Sequence, residues 1–168
     1  MKYKIVTLGK TKIVALSEIS RNLKPYSEVY ELSEPEAYLG PVSHNTLAFF
    51  LAEFAEYALQ NYEKERIPEA EICTSLIRKW IRDNTSVSKK ELKAAADAAY
   101  AITYDYGDAY AVYATVYAST FPINPADATS YSTNAAADAA GKSKEEEFIR
   151  QGTFIIDFLK TGKHLFSM

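Results

Sequence analysis

The chain has 168 residues, of which 48% are hydrophobic and 24% charged, and its net charge is −3. This length and balance predict one globular domain over residues 1–168 and exclude a largely disordered chain. The sequence has no predicted signal peptide and no apolar run of membrane-spanning length, and its single cysteine, Cys73, cannot form an internal disulfide. We therefore expect a soluble cytoplasmic protein without a membrane partner.

Residues 1–42 are predicted to form an extended N-terminal arm followed by a loop. Residues 3–16 are rich in Ile, Val and Thr, and Gly9-Lys10 is suited to the turn of a short β-hairpin. Residues 20–42 carry three prolines and a glycine between polar residues, which predicts an irregular loop.

Residues 43–162 are predicted to form a helical bundle, because helix-start and helix-stop signals recur along them. The predicted helices begin near Ser43 or Asn45, Pro68, Ser88, Gly107 or Asp108, Asn124 and Ser143. Ser88 and Ser143 each open an S-x-x-E capping box, and Gly162 is placed for a left-handed C-cap. The predicted fold is all-α: a compact bundle of five to six antiparallel helices, roughly two thirds helical, with a short extended or β-hairpin N-terminal arm.

Tyrosine is unusually frequent, with 13 residues, and six of these rings follow helical spacing. The stripe comprises Tyr106, Tyr110, Tyr113 and Tyr117, preceded by the pair Tyr100 and Tyr104. Two interpretations are open. The rings either pack inside the bundle with their hydroxyls at its rim, or form a partner-binding face, for which an apolar body with a polar tip is well suited.

The charge distribution points to the same region. Between Ala94 and Gly141 there is no Lys or Arg, whereas five aspartates fall there: Asp97, Asp105, Asp108, Asp127 and Asp138. They either cap helices and pair with lysines elsewhere, or make a negative patch that attracts a basic partner. The acidic balance argues against nucleic acid as a ligand, because phosphate binding requires a basic face.

No standard catalytic or metal-binding motif is present. His44 and His164 have no ligand-spaced partners, Gly9 stands alone without a phosphate-binding loop, and Cys73 is predicted to be a small core residue. Asp105 and Asp108 either divide acid and base work or end one helix and cap the next. We predict no enzyme activity, no metal and no cofactor.

Three segments resemble Ala-rich helical immunity proteins of bacterial toxin systems. They read LIRKWI (76–81), ELKAAADAAY (91–100) and EFIRQG (147–152), and with the alanine helices the resemblance covers residues 47–160. It implies a non-enzymatic protein that binds and neutralises another protein. Phage-encoded inhibitors of bacterial defence use the same strategy.

The leading hypothesis is an immunity or inhibitor protein whose acidic, Tyr-rich helical face binds a protein target with a basic surface. The predicted partner-binding residues are Tyr100, Tyr104, Asp105, Tyr106, Asp108, Tyr110, Tyr113 and Tyr117. Three alternatives remain: a helical protein that sequesters a small molecule or nucleotide, an enzyme using Asp105 and Asp108, and a structural homo-oligomer whose tyrosine face meets its own copy.

Overall fold

The computed structural model describes residues 1–105 and 109–162, and within them the chain forms a four-stranded antiparallel sheet and seven α-helices. The strands are β1 (Lys2–Thr7), β2 (Lys10–Ala15), β3 (Glu28–Glu31) and β4 (Ala37–Pro41). The helices are α1 (Ile19–Asn22), α2 (His44–Tyr62), α3 (Pro68–Arg82), α4 (Lys89–Ile102), α5 (Tyr110–Ser119), α6 (Pro125–Ala139) and α7 (Lys144–Thr161). Short 3-10 turns span Leu16–Glu18, Thr103–Asp105 and Gly141–Ser143.

The predicted all-α bundle of five to six helices is wrong, because the described residues form seven helices and the N-terminal region forms a four-stranded sheet in the order β2-β1-β3-β4. The predicted hairpin is present as β1 and β2, but its two-residue loop is Leu8-Gly9 and not Gly9-Lys10, because Lys10 pairs with Thr7 in the ladder. Leu8 and Gly9 both have positive φ, as a type I′ turn requires. The predicted loop over 20–42 supplies the other two strands. Pro41 is tolerated because β4 is an edge strand, where a residue without a backbone N–H costs the sheet no hydrogen bond.

The sheet buries one face against α1 and the last helix, α7. Tyr3, Ile5 and Val14 are buried on that face, and β1 and β4 contact α1 and α7 respectively. α7 also packs on the 3-10 turn Leu16–Glu18, and its buried Gln151 accepts a hydrogen bond from Ser20 at 2.6 Å. The C-terminal helix thus holds the sheet to the rest of the fold.

Most predicted helix starts are confirmed by their caps. Ser43 and Asn124 accept hydrogen bonds from the backbone three residues on, Ser88 forms its capping box with Glu91, and Pro68 occupies the first helical turn. Two predictions are wrong. Ser143 makes no capping hydrogen bond because it lies in a 3-10 turn, and Gly162 has φ −112° instead of the left-handed value.

α5 is the central helix, with contacts to α2, α3, α4 and α6. Seven of its ten residues are buried, and small residues such as Ala111, Ala114 and Ala118 let neighbouring helices approach closely. Only one strip of α5 reaches the surface, and this strip carries the tyrosines.

Candidate binding surface

The described part of the predicted tyrosine stripe lies along the one side of α5 that reaches the surface. Tyr110 on α5 is exposed, and Tyr113 and Tyr117, three and seven residues further on, are partly buried along the same side of the helix. Tyr113 packs its ring against the core while the strip remains open to solvent. Among residues 1–105 and 109–162, helices cover the other sides of α5, so a partner would reach this helix through its tyrosines.

The preceding helix adds two exposed rings. Tyr100, near the end of α4, has its ring centroid 5.8 Å from that of Tyr113, and Tyr104 in the following 3-10 turn lies 6.3 Å from Tyr100. Tyr104 is 82% exposed. These separations lie within the range of favourable aromatic pairs, so α4 and α5 present one connected aromatic surface.

Tyr131 on α6 is a further ring of this surface that was not among the predicted residues. Its centroid lies 5.1 Å from that of Tyr117, and the side chain is 53% exposed. Periodicity cannot find such a residue, because its position depends on how α6 packs on α5. Hereafter the tyrosine surface means Tyr100, Tyr104, Tyr110, Tyr113, Tyr117 and Tyr131.

A shallow groove of about 240 Å³ runs along this surface. Tyr100 from α4 and Tyr131 from α6 flank the α5 rings, and Asn134 and Asp138 complete the α6 side. Burial raises the pKa of the Tyr117 hydroxyl, and the neighbouring Tyr100, Tyr131 and Tyr113 add to the shift. A tyrosine hydroxyl is protonated at neutral pH even at its ordinary pKa of 10.0, so that of Tyr117 can donate a hydrogen bond to a partner.

The aspartates form a weaker negative patch than the sequence suggests. Asp97 pairs with Lys93 at 2.9 Å, Asp138 pairs with Lys144 at 2.6 Å, and Asp127 accepts a hydrogen bond from the Asn124 side chain. Asp105 is exposed beside Tyr104. Capping and lysine pairing thus account for three of the five. The predicted site residues Tyr106 and Asp108 lie outside the described residues.

The cysteine and the described histidine have packing roles. Cys73 is buried and its Sγ donates to the Ala95 carbonyl at 3.3 Å, while burial raises the pKa of the thiol to about 11. His44 packs its ring 4.7 Å from Phe121 and 5.6 Å from Trp80, and burial lowers its pKa. His164 lies outside the described residues, as does one member of the Asp105–Asp108 pair.

Over the described part of the chain, no three His, Cys, Asp or Glu side chains converge as metal ligands do. None of the helices described is both long and apolar enough to cross a membrane. Comparisons of the chain with models of protein families, with curated proteins and with solved structures gave no match. The resemblance to immunity proteins therefore stays a prediction.

Proposed function

We propose that this is a non-enzymatic, cytoplasmic binding protein that neutralises a protein target through the tyrosine surface, as an immunity protein or a phage-encoded inhibitor of defence does. One observation carries the proposal. Six tyrosine rings, five from three helices and one from the 3-10 turn after α4, come together around the exposed strip of the central helix. Tyrosine is enriched among residues that dominate binding energy, because it buries a large ring at little entropic cost.

The expected target segment is basic. The polypeptide from Ala94 to Gly141 contains no Lys or Arg, and exposed Asp105 adjoins the rings. A cation over a tyrosine face is attracted to the ring, and the protein already uses this contact internally, with the Arg150 guanidinium 3.4 Å from the Tyr57 centroid. Lysine or arginine side chains of a partner would find the same chemistry on the tyrosine surface.

The shape of the groove favours a macromolecular partner over a small molecule. Its volume of about 240 Å³ is below the roughly 300–1,000 Å³ of pockets that enclose most of a ligand. A protein partner needs no enclosure, since it covers a broad surface of rings and supplies its own rim.

The test compares capture of host-cell proteins by wild-type protein and by the double variant Tyr104→Ser/Tyr131→Ser. These two rings are the most exposed of the tyrosine surface, so their removal leaves the core intact. The matched control is Tyr26→Asn, which removes a ring whose exposure lies between those of Tyr104 and Tyr131, at a positive φ that asparagine tolerates. Thermal unfolding checks that all three proteins fold.

We expect wild type and control to capture one protein in stoichiometric amount, and the double variant to bind it at least about tenfold more weakly. Equal capture by the folded double variant would refute a role for the tyrosine surface. Assembly of the purified wild type into an oligomer that the double variant does not form would instead support the structural homo-oligomer.

A further inference from the structure

A second concave surface lies between the β1–β2 hairpin and the end of α1. Its volume is about 400 Å³. Lys10 and Lys12 come from the hairpin, and Arg21 and Lys24 come from α1 and the residues after it. We call the surface around these four cations the basic cleft. It shares no residue with the tyrosine surface.

The strand register explains why the cations converge. Lys12 pairs with Ile5 and Lys10 with Thr7 across the hairpin, so both lysines project from the same face as the buried Ile5. The cleft lies between that face of the hairpin and the end of α1. Arg21 and Lys24 form its other wall, so positive charge faces positive charge.

Two of the four cations, Lys12 and Arg21, are held by neutral partners. Lys12 Nζ donates to Asn22 Oδ1 at 2.6 Å, a bond that joins the two walls. The Arg21 guanidinium stacks 3.9 Å from the Phe148 ring centroid and donates to the Ser17 carbonyl at 3.0 Å. Within residues 1–105 and 109–162, no carboxylate forms an ion pair with any of the four, and none lines the cleft.

Protection of the sheet edge explains only half of this arrangement. Lysines on an edge strand discourage pairing with other chains, which accounts for Lys10 and Lys12 on β2. It does not account for Arg21 and Lys24 opposite them. Gathering four like charges costs electrostatic free energy, and a bound multivalent anion would offset that cost.

We propose that the basic cleft binds the phosphate groups of a small phosphorylated ligand. A phosphate chain offers several charges and acceptor oxygens within a few ångströms, which matches cations on two facing walls and the fork of Arg21. The cleft volume lies in the range typical of small-molecule sites. Ile5, Thr7 and Leu8 line the same cleft and supply contacts for the remainder of the ligand.

Titration calorimetry at low salt tests the proposal with two probes, inorganic tripolyphosphate and ATP. The variant is Lys10→Gln/Lys24→Gln, because neither lysine makes a described side-chain hydrogen bond or ion pair whose loss would disturb the fold. The control is Lys89→Gln/Lys90→Gln, which removes the same charge from exposed lysines at the start of α4. Thermal unfolding verifies that both variants fold.

We expect tripolyphosphate to bind wild type and control alike, and the cleft variant roughly tenfold more weakly, as the loss of two solvent-accessible ion pairs implies. Tighter binding of ATP than of tripolyphosphate would identify a nucleotide as the source of the phosphates, and equal binding a simpler polyphosphate. No binding of tripolyphosphate, or equal weakening in cleft variant and control, would overturn the proposal. Binding of an oligonucleotide but not of tripolyphosphate would overturn it as well.

Discussion

Replacing Gly152 by alanine tests the contact that joins α7 to the N-terminal region. Gly152 is buried in the middle of α7, where the helix crosses the 3-10 turn Leu16–Glu18. A Cβ built at this position overlaps the Leu16 carbonyl oxygen and lies 3.1 Å from its carbonyl carbon. The obstacle is backbone, so no change of rotamer can relieve the overlap.

Two effects of opposite sign make the outcome informative. In an exposed helix interior, alanine in place of glycine stabilises by about 1 kcal/mol. Overpacking against a rigid neighbour costs about 1–3 kcal/mol and sometimes more, and a backbone obstacle places this site at the upper end. We therefore expect Gly152→Ala to lower the free energy of unfolding by about 2 kcal/mol, the difference of the two terms.

Urea unfolding followed by circular dichroism measures this change. Thr153→Ala serves as the control, because Thr153 is the exposed neighbour of Gly152 in the same helix and alanine there improves helix propensity without a clash. The control should be as stable as wild type or slightly more stable. If Gly152→Ala also gains stability, α7 does not pack tightly on the Leu16–Glu18 turn, and the reasoning fails.

Three further predictions concern single side chains. Burial lowers the pKa of His44 below its ordinary value of 6.5, so the native state binds this proton less readily than the unfolded chain does. The free energy of unfolding should therefore fall as the pH drops below 6.5. Urea titrations at several pH values should show a smaller decline for His44→Gln. Cys73, buried and with its pKa raised to about 11, should react with a thiol reagent at pH 8 far more slowly in the native protein than in urea, and equal rates would contradict its burial. Ser88→Ala should cost about 1 kcal/mol of unfolding free energy by removing a formed cap, whereas Ser143→Ala, with no capping bond to lose, should leave stability unchanged.

Local chemistry predicted the helices well. Ser43, Ser88 and Asn124 mark helix starts because a side-chain oxygen satisfies a backbone N–H within the same few residues, and Pro68 pre-sets the first turn. The total helical content of 65% matches the predicted two thirds. Such signals need no knowledge of the remaining chain.

The sheet was underestimated because its pairing is not local. β3 has only four residues, and its register with β4 shifts between Val29 and Tyr30. β4 ends in Gly40 and Pro41, residues that usually mark loops. These segments become strands only because β1 offers an edge and α7 a surface for their buried side chains.

Only part of the candidate site was predicted, because the rest depends on contacts between segments that are distant in the sequence. Helical spacing placed Tyr110, Tyr113 and Tyr117 on one side of a helix, and the structure locates that side at the surface. Tyr131 joins them through packing of α6 on α5, which spacing within one helix cannot reveal. The basic cleft was missed entirely, because its walls depend on where the hairpin meets α1.

The seating of α7 against the sheet region has a consequence for how the chain is made. Ser20 bonds to Gln151, and Glu31 pairs with Lys160 at 2.8 Å, so residues translated first are secured by residues translated more than a hundred positions later. During vectorial synthesis on the ribosome, the hairpin and its neighbouring strands emerge without the helix that covers them. We expect this part of the newborn polypeptide to stay open to proteases and chaperones until α7 has emerged from the ribosome, and then to fold together with that helix.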